Sequence, residues 1–114
     1  MAFNWKESIY VVEKSATLED AMATITGNRR GALVVVDEDG TLVGIVSDGD
    51  IRRAMLRGAT MRTPIEKAVN MNVVSLPPGS EKEAADIFEK KQGVNLLPIA
   101  DKKNHLVNVI VRES

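Results

Sequence analysis

The pattern of apolar and polar positions divides the chain into two similar halves, and the first half contains two helices and a β-hairpin. Apolar residues recur every three or four positions over residues 18–27, which predicts a helix there with Thr17 as its N-cap. Continuous apolar runs over 32–36 and 41–46 are joined by an Asp-Gly turn, which predicts a hairpin. Helical spacing then returns over residues 50–58.

The second half repeats this order of elements. A threonine, a proline and a glutamate at residues 63, 64 and 66 form a capping-box pattern, which predicts a short connecting helix to about residue 69. A strand is expected over residues 73–76. Ser80 and Glu83 form a second capping-box pattern that opens a helix, and apolar runs over 96–101 and 106–111 predict another hairpin.

The two halves match at a nearly constant offset. Thr17 corresponds to Ser80 at an offset of 63 residues, and Asp37 corresponds to Asp101 at an offset of 64. Each unit contains a strand, a helix and a hairpin, which is too little structure to bury its own apolar face. We therefore expect two internal repeats that pack together around a shared core.

The composition narrows the classes of function. The chain has 114 residues, no cysteine and a single histidine, which excludes disulfides, thiolate catalysis and any multi-histidine metal site. Fifteen basic and sixteen acidic residues give a net charge of −1, which argues against non-specific binding of nucleic acid. The longest apolar run, residues 32–36, is far shorter than the roughly 20 residues of a membrane span. We expect a cytoplasmic protein without nucleic-acid or membrane partners and without a metal.

Two smaller features carry structural expectations. Three of the four aromatic residues, Phe3, Trp5 and Tyr10, lie in the first ten residues, where we expect them to pack the N-terminal segment onto the module or onto a partner subunit. His105 lies in a polar turn with no nucleophile near it in sequence. It is expected to be an exposed side chain rather than a catalytic base.

The segment that follows the second strand of the first hairpin has the richest chemistry. Ser47 and Asp50 stand at the start of a predicted helix, and Arg52 and Arg53 follow in its first turn. Free backbone N–H groups at a helix N-terminus favour phosphate, and a carboxylate beside them can accept from ribose hydroxyls. A simpler interpretation is that Ser47 or Asp48 caps the helix and that the arginines are solvated. Spacing alone leaves both interpretations open.

A family resemblance favours the first interpretation. Residues 44–53, Gly-Ile-Val-Ser-Asp-Gly-Asp-Ile-Arg-Arg, preceded by the segments 17–21 and 32–37, resemble a cystathionine-β-synthase (CBS) domain. The whole chain, from about Ile9 onward, is similar to a tandem CBS pair, or Bateman module. The resemblance implies an α/β (α+β) fold of two pseudo-symmetric repeats, each a small mixed sheet with flanking helices, packed as one module.

The resemblance also implies domain boundaries and a ligand site. The repeats are expected at residues 8–62 and 63–114, the second lacking its C-terminal helix. The family's Ser/Thr-x-x-Asp element, which binds the ribose and phosphate of adenosine nucleotides, corresponds to Ser47 and Asp50. The other ligand-binding residues that the resemblance implies are Arg52 and Arg53 for phosphate, and Val11, Ala32 and Leu33 for adenine.

The second repeat departs from the family pattern at the important positions. Asn108, Val111 and Ser114 stand where the first repeat has Gly44, Ser47 and Asp50. The second ribose-binding element is therefore absent. We expect at most one high-affinity nucleotide per chain.

The resulting functional hypothesis is a regulatory module rather than an enzyme. The chain has no P-loop, no GxGxxG and no recognisable nucleophile–base pair, so no catalytic residue and no catalytic cofactor are expected. The module is expected to sense an adenosine nucleotide, AMP, ADP or ATP, with S-adenosylmethionine and a sugar nucleotide or CMP-sugar as the alternatives. It is also expected to form a homodimer and to control an attached or partner enzyme. The resemblance includes CBS pairs attached to sugar nucleotidyltransferases, and the start of the first repeat near residue 9 favours that association as an expectation. The alternatives are a sugar-phosphate isomerase of the arabinose-5-phosphate type and a dimerisation module with a vestigial pocket.

Overall fold

The computed structural model describes residues 3–113 and consists of two small sheets packed face to face, with helices on their outer sides. In chain order, the helices and strands are β1 (Val11–Glu13), α1 (Leu18–Asn28), β2 (Ala32–Val36), β3 (Leu42–Ser47), α2 (Asp48–Leu56), α3 (Ala84–Lys90), β4 (Leu96–Ala100) and β5 (Leu106–Val111). Short 3₁₀ turns cover Trp5–Glu7, Ile65–Lys67 and Glu81–Glu83. Both predicted hairpins and the predicted helix at 18–27 are confirmed, whereas the helix predicted over 50–58 begins two residues earlier and is capped by Ser47.

The first sheet has the order β1-β2-β3, with β1 parallel to β2 and β2 antiparallel to β3. The second sheet contains the antiparallel pair β4-β5. Leu76 adds a single parallel bridge to Ile99 of β4. In the first sheet Val12 pairs with Val35. Leu76 and Ile99 are the positions 64 residues later, so this bridge is the counterpart of that pairing.

Strand alternation explains the layers, because successive residues of a strand face opposite sides of the sheet. On β2, Leu33 and Val35 pack under α1 and α2. The alternate residues Ala32, Val34 and Val36 pack between the two sheets. On β4, Leu97 and Ile99 pack under α3. All five residues of β2 and of β4 are buried because both strands are covered on both faces.

The tips of the hairpins are built alike and meet each other. In each turn an aspartate accepts two backbone N–H groups, and the aspartates, Asp37 and Asp101, are 64 residues apart. Thr41 forms an antiparallel bridge with His105 of the other hairpin. The N–H of Leu42 donates to the carbonyl of Asn104 at 2.8 Å, and the N–H of Leu106 donates to that of Gly40 at 2.9 Å. Main-chain hydrogen bonds therefore join the two halves of the molecule.

Three local predictions are wrong. Residues 73–75 form no strand, because the chain leaves the first sheet at Asn70, which bridges Ile45, and enters the second only at Leu76. The capping box at Thr63 does not form, since the Thr63 hydroxyl accepts from the N–H of Thr60 instead. Ser80 also makes no cap, because its backbone lacks the extended conformation of an N-cap and a 3₁₀ turn precedes α3.

The N-terminal aromatic residues pack as expected. Phe3, Trp5 and Tyr10 lie against the apolar layer between the two sheets. His105 is 43% exposed, and its Nδ1 lies 3.8 Å from Oδ2 of Asp101. Among the described residues, no helix has the length and apolar character needed to cross a bilayer.

Acid should weaken the two hairpin turns. The backbone N–H of Thr41 lowers the pKa of Asp37, and the N–H of His105 lowers that of Asp101. A carboxyl whose folded-state pKa is lowered stabilises the fold above its ordinary pKa, and this stabilisation is lost as pH falls through the lowered value. We expect Asp37→Ala to be less stable at neutral pH and to lose less further stability on acidification than the wild type. Urea unfolding at several pH values between about 3 and 7 measures this difference.

Asp39→Ala is the matched control, since only the backbone of Asp39 takes part in the turn. It should unfold with the same pH dependence as the wild type. Equal pH profiles for Asp37→Ala and the wild type would contradict the role given to the Asp37 carboxylate.

Candidate functional site

A cavity of about 350 Å³ lies where the first repeat meets the chain that follows it. One wall is the junction of β3 with α2, the second is the extended segment 70–74, and the third is the loop between α3 and β4. The lining residues are Ala32, Ile45, Ser47, Asp50, Arg53, Asn70, Asn72, Val73, Val74, Lys91, Gly93, Val94, Asn95 and Leu96. The cavity thus combines an apolar part with amides, a hydroxyl, one carboxylate and two cations.

The first wall is fixed by a capping box at the start of α2. The Ser47 hydroxyl accepts from the N–H of Asp50 at 3.1 Å, and Oδ2 of Asp50 accepts from both the N–H and the hydroxyl of Ser47 at 2.9 Å. The predicted helix cap at Ser47 is therefore confirmed, and Asp50 completes it as a capping box. It does not exclude a ligand, because the same geometry presents the hydroxyl and the carboxylate at the cavity wall.

Arg53 lies over Asp50. Its Nη2 is 2.8 Å from Oδ1 of Asp50, and the side chains are 60% and 15% exposed, respectively. Gly49 gives the guanidinium room, since a Cβ at that position would lie 3.2 Å from Nη1 of Arg53. Both oxygens of the Asp50 carboxylate consequently have partners within the protein.

The second wall depends on a close approach of two backbones. Ile45 and Asn70 exchange two main-chain hydrogen bonds, at 3.0 and 2.8 Å. Gly44 makes this possible, because a Cβ there would lie 2.3 Å from the carbonyl oxygen of Asn70. This pairing places Asn72, Val73 and Val74 along the cavity wall.

The third wall is held by Arg112, which follows β5. Its guanidinium donates to the carbonyls of Phe88 at 2.6 Å, Lys91 at 2.8 Å and Val94 at 2.9 Å. Asn95 reaches back to the first half, since its Nδ2 donates to the carbonyl of Arg30 at 3.1 Å. Both halves of the chain therefore fix the shape of the cavity.

Four of the seven predicted site residues lie together and three do not. Ala32, Ser47, Asp50 and Arg53 line the cavity. Arg52 lines a separate depression on the outer side of α1 and α2. The side chain of Leu33 is completely buried under α1 and α2, because it faces the opposite side of β2 from Ala32, and Val11 is buried between the sheets.

Sequence reasoning missed the second and third walls. Asn70 and Asn72 lie between the predicted helix end and the predicted strand, Val73 begins that strand, and Lys91 and Asn95 lie in a loop. The repeat offset offers one signal, since Leu96 is the counterpart of Ala32.

The counterpart positions of the second repeat lack this chemistry. Asn108 is exposed and its side chain accepts from the N–H of Val109, while Val111 pairs with Leu96 in the sheet. Ser114, the counterpart of Asp50, lies outside the described residues. Asn108 and Val109 border a different cavity beside the N-terminal segment, where Glu7 is the one charged group among the described lining residues. Within residues 3–113, no cluster of three or more His, Cys, Asp or Glu side chains could hold a metal.

Comparison with known proteins assigns a family to the repeat that carries the cavity. The CBS domain family model matches residues 6–57. Arabinose 5-phosphate isomerase GutQ of Salmonella typhi is 27% identical over 104 residues, a match that covers 91% of this chain and 32% of GutQ. The chain spans about a third of the length of the curated relatives that it matches.

Solved structures extend the comparison to both repeats. The AcuB structure from Vibrio cholerae superposes with a TM-score of 0.79 at 27% identity, covering 90% of this chain and 76% of that one. The structure of CBSX2 in complex with AMP gives a TM-score of 0.70 at 25% identity, covering 90% of this chain and 80% of that one.

These matches concern CBS modules, which are regulatory domains rather than catalytic ones. The three helices and two small sheets match structures of CBS-domain pairs. The chain therefore carries a CBS domain at residues 6–57, and its fold is that of a CBS-domain pair.

Proposed function

We propose that this chain is a regulatory module that binds one adenosine nucleotide in the cavity between β3, α2 and the second half of the chain. The observation that carries the proposal is the convergence of Ser47, Asp50 and Arg53 with an apolar wall in one cavity. The similarity to CBSX2, whose structure contains AMP, supports an adenosine ligand. The proposal places the protein in the cytoplasm, because adenosine nucleotides are abundant there.

The cavity offers a place for each part of the ligand. Asp50 accepts from a ribose hydroxyl, and the guanidinium of Arg53 on the same wall provides donors for phosphate. The adenine ring packs against apolar side chains of the other walls. These side chains are Ala32, Val73, Val74 and Leu96, which take the place of the expected Val11 and Leu33.

Regulation follows from the position of the cavity. A ligand that contacts residues 47–53 together with residues 70–74 and 91–96 binds both repeats, proposed at 8–62 and 63–114. It shifts the packing of the repeats by its difference in affinity for the two arrangements. The regulated activity is proposed to be a sugar enzyme, attached or associated. GutQ supports a sugar-phosphate isomerase, while a sugar nucleotidyltransferase stays a prediction from resemblance.

An exposed apolar surface supports a second role, homodimerisation. Leu56 is 82% exposed at the end of α2 and borders a depression whose other lining residues are Met22, Ile51 and Met55 with the charged Asp48 and Arg52 at its side. Exposed apolar patches of this kind mark interfaces. A dimer whose mass is unchanged by loss of nucleotide binding would favour the dimerisation module with a vestigial pocket.

Thermal unfolding against a panel of nucleotides tests the main proposal. AMP, ADP and ATP at 100 times the Kd would stabilise the fold by about 2.7 kcal/mol, and a parallel hydrolysis assay should show no turnover. CMP and inorganic phosphate are the controls and should leave the melting temperature unchanged. No stabilisation by any adenosine nucleotide, or equal stabilisation by CMP, would contradict the proposal.

A further inference from the structure

The carboxylate that the ribose needs is already occupied in this structure. Oδ2 of Asp50 accepts from the backbone and hydroxyl of Ser47, and Oδ1 accepts from Arg53 at 2.8 Å. Arg53 is far more exposed than the carboxylate beneath it, 60% against 15%. The guanidinium therefore lies on the more exposed side of this ion pair and competes with a ribose hydroxyl for Oδ1.

We propose that Arg53 is a latch that makes the site selective for phosphorylated nucleotides, an inference that rests on the proposed nucleotide function. The phosphate of the ligand takes the guanidinium from Asp50, and the freed Oδ1 accepts the ribose hydroxyl. Arg53 exchanges one anionic partner for another, so its charge stays compensated throughout. A nucleoside without phosphate also has to displace Arg53 from Oδ1 of Asp50, but it offers the guanidinium no anionic partner.

The charges of the cavity agree with this selectivity. Its charged lining side chains are one carboxylate, Asp50, and two cations, Arg53 and Lys91. Asp50 and Arg53 compensate each other, which leaves Lys91, on the opposite wall and exposed, as excess positive charge. A phosphate group supplies the missing negative charge. S-adenosylmethionine has a sulfonium and an ammonium against one carboxylate, so its net positive charge adds to that of the cavity, and the cavity favours AMP, ADP or ATP over that ligand.

Arg52 provides a matched control because it has the same side chain on the same helix. It borders the depression on the outer side of α1 and α2, away from the cavity. Removing either arginine changes the net charge of the protein equally. Of the two arginines, Arg53 is the one that contacts Asp50.

The test measures the affinity of AMP, adenosine and S-adenosylmethionine for the wild type, Arg53→Ala and Arg52→Ala by isothermal titration calorimetry. A charge-assisted hydrogen bond is worth a factor of roughly ten or more, so wild type should prefer AMP over adenosine by at least about tenfold. In Arg53→Ala the AMP affinity falls while the adenosine affinity rises, because adenosine no longer has to displace Arg53 from Asp50, and the preference shrinks to about threefold or less. Arg52→Ala keeps the wild-type preference.

The outcomes separate the latch from the proposed function. Equal binding of AMP and adenosine by the wild type, or an unchanged preference or an unchanged adenosine affinity in Arg53→Ala, would overturn the latch and leave the nucleotide site in place. A loss of preference in Arg52→Ala equal to that in Arg53→Ala would overturn it as well, because a general charge effect would explain both. If the wild type binds none of the three ligands, the proposed nucleotide function is overturned, and the latch with it.

Discussion

Replacement of Asp50 by alanine is expected to abolish nucleotide binding at a small cost in stability. The change removes the acceptor proposed for the ribose and leaves Arg53 without its partner at the cavity wall. Loss of a buried charge-assisted hydrogen bond at a ligand's polar group lowers affinity by about a hundredfold or more. The capping box of α2 is lost as well, which costs about 1 kcal/mol of the free energy of unfolding. Calorimetric titration and urea unfolding measure the two effects separately.

Asp20→Ala is the matched control for this variant. Asp20 is the third residue of α1 and forms the same capping box with Thr17, but it does not line the cavity. Its loss should lower the stability by a similar amount and leave AMP affinity at the wild-type value. If the two variants bind AMP equally well, Asp50 acts as a cap alone and the assignment of the ribose acceptor is wrong.

A side chain at residue 44 should have the largest effect on the fold. In Gly44→Ala the new Cβ would meet the carbonyl oxygen of Asn70 at 2.3 Å, and that atom belongs to the backbone and cannot turn aside. The segment 69–70 must move away from β3, which breaks its two hydrogen bonds with Ile45. Overpacking and the lost hydrogen bonds together should cost about 3 kcal/mol of the free energy of unfolding.

AMP affinity should fall in the same variant, because the displaced segment continues into Asn72 and Val73 of the cavity wall. Gly27→Ala is the control. Gly27 lies inside α1, and a Cβ there meets nothing within 4 Å, so this substitution should stabilise the protein by about 0.5–1 kcal/mol. A Gly44→Ala protein as stable as the wild type would show that the approach of Asn70 to β3 is not needed.

The features that the sequence predicts correctly are those with a local cause. The hairpins follow from apolar runs around Asp37 and Asp101, whose side chains bind the backbone of their own turns. Ser47 and Asp50 are found because the two residues lie within four positions at the start of one helix, where a local motif is enough to identify them. The same reasoning fails at Thr63 and Ser80, where neighbouring groups offer the backbone other hydrogen bonds.

The rest of the site could not be predicted because it depends on contacts between distant residues. Val73 and Asn95 line the cavity only because the chain crosses from the first sheet to the second and Arg112 holds the loop after α3. The resemblance implies both Ala32 and Leu33 for the site, but neighbouring residues of a strand face opposite sides, and the Leu33 side chain packs under the helices. A single sequence shows the alternation of β2 but not which of its two buried faces meets the cavity.

The stoichiometry of AMP binding tests the central claim most directly. The first repeat has the Ser47–Asp50 element with Gly44 before it, whereas the second has Asn108 and Val111 at the corresponding positions. Isothermal titration calorimetry with AMP on the wild-type chain should therefore saturate at about one nucleotide per chain. Saturation at two per chain, or no binding at AMP concentrations up to about 1 mM, would contradict the account.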